Sequence, residues 1–475
     1  MRLIAVGGSD AGISAALRAR ELDPSGEVSV VLADGYPNFS ICGIPYFVSG
    51  EVGHWRDLAH RTMEDLRGAG LDVHVNTRAA GIDVPGRRLI IDAPEGRREL
   101  PYDALVVGTG AVPVRPPITG LDRLGPAEGV HLLHTIGDTL TLTADLDATR
   151  PTRALIVGAG YVGLEMAEGL TARGIDVIQV EALPEALPEV LPTVDPDLGA
   201  MVRDELTRHG VQVHTATTVT EVAASDGPSR LTVHATGADA QPTRWDVDLV
   251  LVVVGVRPDT ELLVSAGATT GPRGAVRVQP DMSTGLPGVW AAGDCVVTHH
   301  RLLGTTYLPL GTTAHKQGRV AGENALGGAA VYPGSLGTQV VKVFDLVVAR
   351  TGLRDREAIE AGFASATVRS TGDDHKAYYP GAKPVTIRVT GDTATGRLLG
   401  AQLVGPLGAE IAKRVDIYAT ALTHEMTVAD VDGLDLSYTP PLGSPWDVVQ
   451  TATMAWVREH DLDRQRAALT SRRTA

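Results

Sequence analysis

Short unbroken apolar runs, each closed by glycine and followed by small residues, set the texture of roughly the first 330 positions. Leu3-Ile4-Ala5-Val6 is the first such run, read as a strand buried on both faces of a parallel sheet. Gly7-Gly8-Ser9-Asp10-Ala11-Gly12 follows, then a helix over 13–22 and a second strand over 28–32. The pattern returns about 150 residues later, with a strand over 153–157, Gly158-Ala159-Gly160-Tyr161-Val162-Gly163, a helix over 164–172 and a strand over 176–181. Elsewhere lie a helix and strand over 66–75, β-rich stretches at 81–84 and 88–91, and apolar strands over 102–107 and 248–254. A further run, 288–292, ends in Gly293-Asp294, and a helix follows over 312–326. From about Tyr332 the chain turns to strands (339–344, 365–369, 385–389, 398–404) and helices (409–422, 446–459) with no glycine-rich turn of this kind. The fold class is therefore α/β: two Rossmann-like dinucleotide-binding units and a C-terminal α+β domain.

The glycine spacing says what the two turns hold. In a Rossmann unit the first glycine permits the tight turn, the last lets helix and strand approach, and the helix N-terminus faces a pyrophosphate. The first turn has Gly7 and Gly12 but Ser9 in the middle place. Its second strand runs into Leu32-Ala33, leaving Asp34 as the nearest acid for a ribose. The second turn carries Gly158, Gly160 and Gly163, and Glu181 ends its strand 18 residues past the last of them. An acid there bonds the 2′- and 3′-hydroxyls of an NAD ribose and repels a 2′-phosphate. NADH is expected over NADPH, with NADPH admissible. Thr109, between glycines at a strand end, can pass close to a cofactor, and Asp294 projects past a sheet edge towards a cofactor hydroxyl. A helix N-cap role for Asp294 is compatible with that.

Asn38-Phe39-Ser40-Ile41-Cys42-Gly43-Ile44-Pro45-Tyr46-Phe47 sets a lone cysteine on a turn that opens a helix. Backbone amides at a helix start favour the thiolate. A buried, inert cysteine is the bland alternative. The other thiol, Cys295, follows Asp294 directly and is read as structural.

Composition narrows the class. The 475 residues suit two to four domains, and 21% charged with 43% apolar residues is ordinary for a globular protein. A net charge of −15 argues against nucleic acid as a partner. No stretch of about 18 uninterrupted apolar residues occurs, so no membrane span is expected. The opening Met1–Gly8 reads as a strand and not as a leader. Two cysteines give no disulfide framework and suggest a cytoplasmic, reducing setting. No metal site is expected.

Taken with Gly108-Thr109-Gly110 and Tyr438-Thr439-Pro440-Pro441, these motifs make the chain resemble the pyridine nucleotide–disulfide oxidoreductases over about 1–455. It is nearest their single-cysteine branch: coenzyme A disulfide reductases, NAD(P)H-dependent persulfide reductases, and NADH oxidases and peroxidases. The resemblance implies FAD at Gly7, Ser9, Asp10, Ala11 and Gly12, with Asp34, Thr109, Gly110, Gly293 and Asp294. It implies NAD(P)H at Gly158, Gly160, Tyr161, Val162, Gly163, Glu181 and Gly255, and a homodimer made by the C-terminal domain. The domains expected are FAD-binding over 1–115 and 271–330, a linker over 116–150, NAD(P)H-binding over 151–270, dimerisation over 331–460 and a flexible tail over 461–475.

In two-cysteine members the second cysteine lies five residues beyond the first, and here Phe47 stands there. Cys42 would then cycle alone, through a mixed disulfide, a persulfide or a sulfenic acid. The His-Glu pair of the two-cysteine enzymes has no counterpart near this C-terminus. By the resemblance, Tyr438 approaches the cysteine across the dimer and protonates a departing thiolate. Tyr378-Tyr379-Pro380-Gly381 resembles a second tyrosine-bearing segment of that branch. The expected activity is an FAD-dependent NAD(P)H oxidoreductase acting on a small disulfide, a persulfide or another electrophilic acceptor, with coenzyme A the leading thiol. The alternatives are an NADH oxidase or peroxidase working through sulfenic acid, and a flavin redox sensor or electron-transfer protein. Asp10 stands where the oxidases and peroxidases usually carry histidine, which weakens that reading. Arg18, Arg20, His60 and Arg61 would meet coenzyme A phosphates if they cluster.

Overall fold

The computed structural model describes residues 1–183 and 193–462, so the tail expected at 461–475 lies, from 463 on, outside the described residues. Two compact units divide the chain: Met1–Gly158 with Gly169–Val177 and Thr218–Ser335, and Ala159–Glu168 with Ile178–Thr217 and Leu336–Ala475.

The first unit is built on β1 (Arg2–Val6), α1 (Asp10–Leu22), β2 (Glu27–Val31), α2 (Ile44–Ser49), β3 (Asp72–His74), β4 (Ala104–Val107), β5 (Val289–Ala291) and α3 (Gly311–Asn324). The strands form a parallel sheet in the order β5-β4-β1-β2-β3. β1 and β4 are almost wholly buried, which is why their sequences read as apolar runs without alternation. α1 begins at Asp10, three residues before the apolar pattern starts, because its first turn is polar and glycine-containing.

Small residues set the spacing here. A β-carbon on Gly7, whose φ is +113°, would sit 2.1 Å from the Gly108 carbonyl oxygen, and one on Gly12 would sit 2.1 Å from the Gly7 carbonyl oxygen. β-Carbons on Gly318 and Gly322 would each sit 2.3 Å from a carbonyl oxygen of α1, those of Ala11 and Ala15. α1 and α3 therefore meet backbone to backbone, which no larger side chain allows.

Within the same unit, Arg153–Val157 pairs in parallel with Leu249–Val252, which pairs with Val130–Leu132. The unit also holds two antiparallel three-stranded sheets, Arg78–Asp83, Arg88–Ala93 and Gly96–Pro101, and Thr218–Ala224, Leu231–Thr236 and Pro242–Val247. The stretch 116–150 contains the strand Val130–Leu132 and a 14-residue helix, Ile136–Thr149, started by a Thr135/Asp138 capping box.

In the second unit Ile178–Val180 pairs in parallel with Gln212–His214, and the helix Pro196–Arg208 lies between them in sequence. Its C-terminal part is a five-stranded antiparallel sheet in the order Gln339–Val343, Leu346–Gly352, Leu398–Pro406, Pro384–Asp392, Ser365–Asp373. Helices Ile411–Thr423 and Val448–His460 pack on it. Trp456 is fully buried, and its indole N–H donates to the Ala366 carbonyl. Among the described residues no helix is long and apolar enough to cross a membrane.

Candidate active site

The Gly7–Gly12 turn joins β1 to α1, and Gly108 and Gly293 let two other strand ends close around it. Ala11 fits between them: its methyl lies 3.2 Å and 2.9 Å from where their β-carbons would be. Ser9 is the N-cap of α1 without a side-chain bond, so the first amides of the helix are left to another acceptor.

Three polar side chains around this turn have buried atoms without a partner among the described residues. Asn38 is fully buried in a left-handed backbone conformation; its amide N–H donates to the Gly8 carbonyl, while both side-chain amide atoms are unpaired. Gln317 on α3 is fully buried; its Oε1 accepts from Gly293 N–H at 2.9 Å, and its Nε2 is unpaired. Asp294 Oδ1 is inaccessible and unpaired, and burial, followed by the nearby charge of Asp10, pushes this carboxyl up to about 7. Such groups are costly unless bonded. Acceptors and donors at a glycine turn fit the pyrophosphate and ribityl hydroxyls of FAD.

That cost yields a prediction for the flavin-free protein. The folded Asp294 carboxyl holds its proton to a higher pH than the unfolded one, so stability is fully present below the unfolded pKa and is lost as pH rises through about 7. Asp294→Asn removes the penalty. The flavin-free variant is expected to melt above the flavin-free wild type at pH 8, by roughly 2–4 kcal/mol in stability, and to show little advantage below pH 4. FAD affinity, read by fluorescence titration, should weaken in the same variant.

Thr109 donates its hydroxyl to the Asp259 carbonyl at 2.6 Å, so its side chain is engaged within the protein. Nothing stands within 4 Å of where β-carbons on Gly110 and Gly255 would be. Asp34, at the end of β2, accepts from Tyr36 N–H at 2.9 Å and closes a local turn.

Cys42 sits exposed in the single turn Ile41–Gly43 that runs directly into α2. The turn is pinned from beneath. Ser40 N–H donates to the Leu58 carbonyl, His60 N–H donates to the Asn38 carbonyl, and a β-carbon on Gly43 would meet the Leu58 side chain at 2.6 Å. Trp55 stacks on Phe39 with ring centroids 5.4 Å apart and fixes the same two segments together. Cys295, by contrast, is completely buried; its thiol is pushed up to about 11 by burial and donates to the Ala292 carbonyl.

Asp10 is drawn to α3. Its carboxylate lies 3.3 Å from His315 Nε2, and the other ring nitrogen of His315 lies 2.9 Å from Ser14 Oγ. Asp10 Oδ2 occupies the place a β-carbon on Gly311 would need. Arg18 is paired with Glu21 and Glu323, and Arg20 donates to the Gly26 carbonyl.

In the second unit, Glu181 accepts from Ala159 N–H at 2.8 Å and from Leu183 N–H at 3.0 Å, which sets its carboxylate beside the second glycine turn. Among the described residues nothing beyond its own chain neighbours stands within 4 Å of where a β-carbon on Gly160 would be. Val162 is 41% exposed, and Tyr161 turns its hydroxyl to Thr193 and Gln339. Gly163 lies in the first turn of the helix Tyr161–Ala172. Tyr438 and Tyr378 are both exposed, and the hydrogen bond between their phenols raises the pKa of Tyr378. Sequence reasoning gave no role to Asn38, Gln317 and His315. None belongs to a glycine motif: Gln317 and His315 reach the turn with α3, which packs on α1, and Asn38 through its backbone bond to Gly8.

Comparisons agree with this geometry. Residues 1–318 match the profile described as pyridine nucleotide-disulphide oxidoreductase, and residues 338–447 match that family's dimerisation domain. The chain is 32% identical over 447 residues to an NAD(P)H sulfur oxidoreductase (CoA-dependent) of Pyrococcus abyssi, covering 94% of this chain and 96% of the relative. It is 32% identical to an NADH oxidase of Methanocaldococcus jannaschii, covering 93% and 95%. The solved structure of an NAD-dependent persulfide reductase from A. fulgidus superposes with a TM-score of 0.89 at 33% identity, covering 97% of this chain and 84% of that one. With its two Rossmann-type units and C-terminal dimerisation domain, this chain belongs to the pyridine nucleotide-disulphide oxidoreductase family, whose members use FAD and NAD(P)H.

Proposed function

We propose that the protein is an NADH-preferring reductase of a small disulfide or persulfide, working as a homodimer through Cys42. The observation that carries this is the exposed Cys42 turn lying in the same unit as a set of buried polar atoms that have no partner among the described residues, while the other thiol is sealed in the core. Asn38, Gln317, Asp294 and the Gly7–Gly12 turn would hold FAD, and Glu181 with Gly158 and Gly160 the nicotinamide dinucleotide. The chemistry FAD supplies in such a site is two-electron transfer from a nicotinamide to sulfur. The Cys42 thiolate attacks the disulfide RSSR′, forms Cys42–S–SR and expels R′S⁻. Two electrons delivered to that bond release RS⁻ and restore the thiolate. The balance is NADH + H⁺ + RSSR′ → NAD⁺ + RSH + R′SH. Tyr438 and its bonded neighbour Tyr378 are the donors proposed for one departing thiolate.

Coenzyme A enters as the first acceptor to try because of the Pyrococcus relative's name. The cytoplasm is the setting proposed, since a single working thiolate needs a reducing pool. The test is stopped-flow NADH oxidation with coenzyme A disulfide, oxygen and peroxide offered separately. Rapid turnover with the disulfide is the expected result. Turnover with oxygen or peroxide alone would replace this reading by the oxidase one, and flavin that reduces but passes electrons to none of the three would point to an electron-transfer protein.

A further inference from the structure

Each turnover expels two thiolates and takes one proton from solvent, and a group of titratable side chains is joined to the loop that carries Cys42 through the backbone bond of His60 to Asn38. His315 on α3 is held at both ring nitrogens, by Asp10 at 3.3 Å and by Ser14 at 2.9 Å. Each ring nitrogen thus has a polar partner, which fixes the orientation of the imidazole. Gly311 leaves the space in which the Asp10 carboxylate lies. The ring of His60 stands edge-on to His315, centroids 6.3 Å apart, a separation one water can span. His60 is itself fixed to the cysteine loop through its backbone bond to Asn38, and its exposed ring has no hydrogen-bond partner among the described residues.

We propose that Asp10, Ser14, His315 and His60 form a proton relay for the Cys42 site, with His60 delivering the solvent-derived proton to one departing thiolate. This rests on the reductase reading. Asp10 and Ser14 act as positioning residues: they hold the His315 ring in place. His315 holds the proton, and His60 passes it on and is recharged through His315 from solvent. No electrons move in this step. The N–H bond of His60 breaks, an S–H bond of R′SH forms, and the imidazole left behind is reprotonated. The other charged groups on the surrounding elements are Asp294 beyond β5, Arg18 and Glu21 on α1, Arg61 beside His60, and Lys316, Arg319 and Glu323 on α3. Arg18 and Arg319 are paired with Glu21, and Arg18 also with Glu323, while Arg61 and Lys316 are exposed. Burial raises the Asp10 carboxyl, and the two imidazoles draw it back towards the charged form.

The experiment compares wild-type holoenzyme with His60→Gln, His315→Gln and Asp10→Asn, reading thiol release and flavin reduction separately across pH, with Cys42→Ser in parallel. A proton donor stops working as pH rises through its own pKa, so the wild-type kcat profile should have a basic limb. His60→Gln should lower kcat for thiol release by about 100-fold, flatten that limb and slow thiol release more than flavin reduction. His315→Gln should act in the same direction, and Asp10→Asn should do so more weakly. If both histidine variants keep the wild-type limb, the relay is wrong. If Cys42→Ser still reduces the disulfide, the reductase reading itself has failed and the relay has no site to serve.

Discussion

Cys42→Ser is expected to lower NADH-driven disulfide reduction by at least about a thousandfold while hydride from NADH still reduces the bound flavin. A hydroxyl at neutral pH does not attack a disulfide. Nor can it carry an S–S bond for two electrons to cleave, so both halves of the proposed cycle are lost at one atom. Cys295 cannot substitute, being completely buried with its thiol pushed up to about 11. The check is anaerobic mixing with NADH, followed by disulfide in a second mix. The flavin should bleach at an ordinary rate and then stay reduced. Reoxidation by the disulfide in the serine variant would remove Cys42 from the mechanism. Free thiol should fall by one accessible group per chain, since Cys42 is the exposed one of the two.

Gly318→Val is expected to be the most damaging change away from the cysteine. Its β-carbon would lie 2.3 Å from the Ala11 carbonyl oxygen, more than an ångström inside contact, and the obstructing atom is backbone. α1 must move, and with it Ala11, which also buttresses Gly108 and Gly293. The expected loss is about 4 kcal/mol or more, seen as flavin release and a melting point lowered by about 10 °C. Gly68→Ala is the matching control: nothing stands within 4 Å of that β-carbon, and the position is helical. A valine variant that melts with the wild type would mean the two helices are not held as closely as described.

Much of the fold was legible because its elements obey local rules. The buried strands Arg2–Val6 and Ala104–Val107 announce themselves as apolar runs, and the strand Arg153–Val157 falls where the sequence places it. The strand Leu346–Gly352 and the exposed edge strand Gly96–Pro101 escaped. The first lies within a tight hairpin with no glycine or proline to mark its start, and the second is almost wholly polar. The helix Ile136–Thr149 was legible in principle from Thr135 and Asp138, but a threonine-rich surface blurred its period. At the site, glycine motifs and the cysteine turn were readable because backbone geometry demands those residue types. Asn38, Gln317 and His315 were not, since a lone amide or imidazole gains meaning only from what long-range packing sets beside it.

The seam between α1 and α3 also dictates an order of events during synthesis. Ser14 and His315, which touch across it, are 301 positions apart in the chain. At roughly 5–20 residues per second, α1 emerges some 15–60 s before the helix that covers its small-residue face exists. Through that interval β4 also waits for its neighbour β5, so the first unit cannot close its core while the whole of the intervening domain is being made. Yield of folded protein should therefore depend on chaperones that shelter the nascent amino-terminal segment. A circular permutant that brings α3 next to α1 in sequence should shed that dependence.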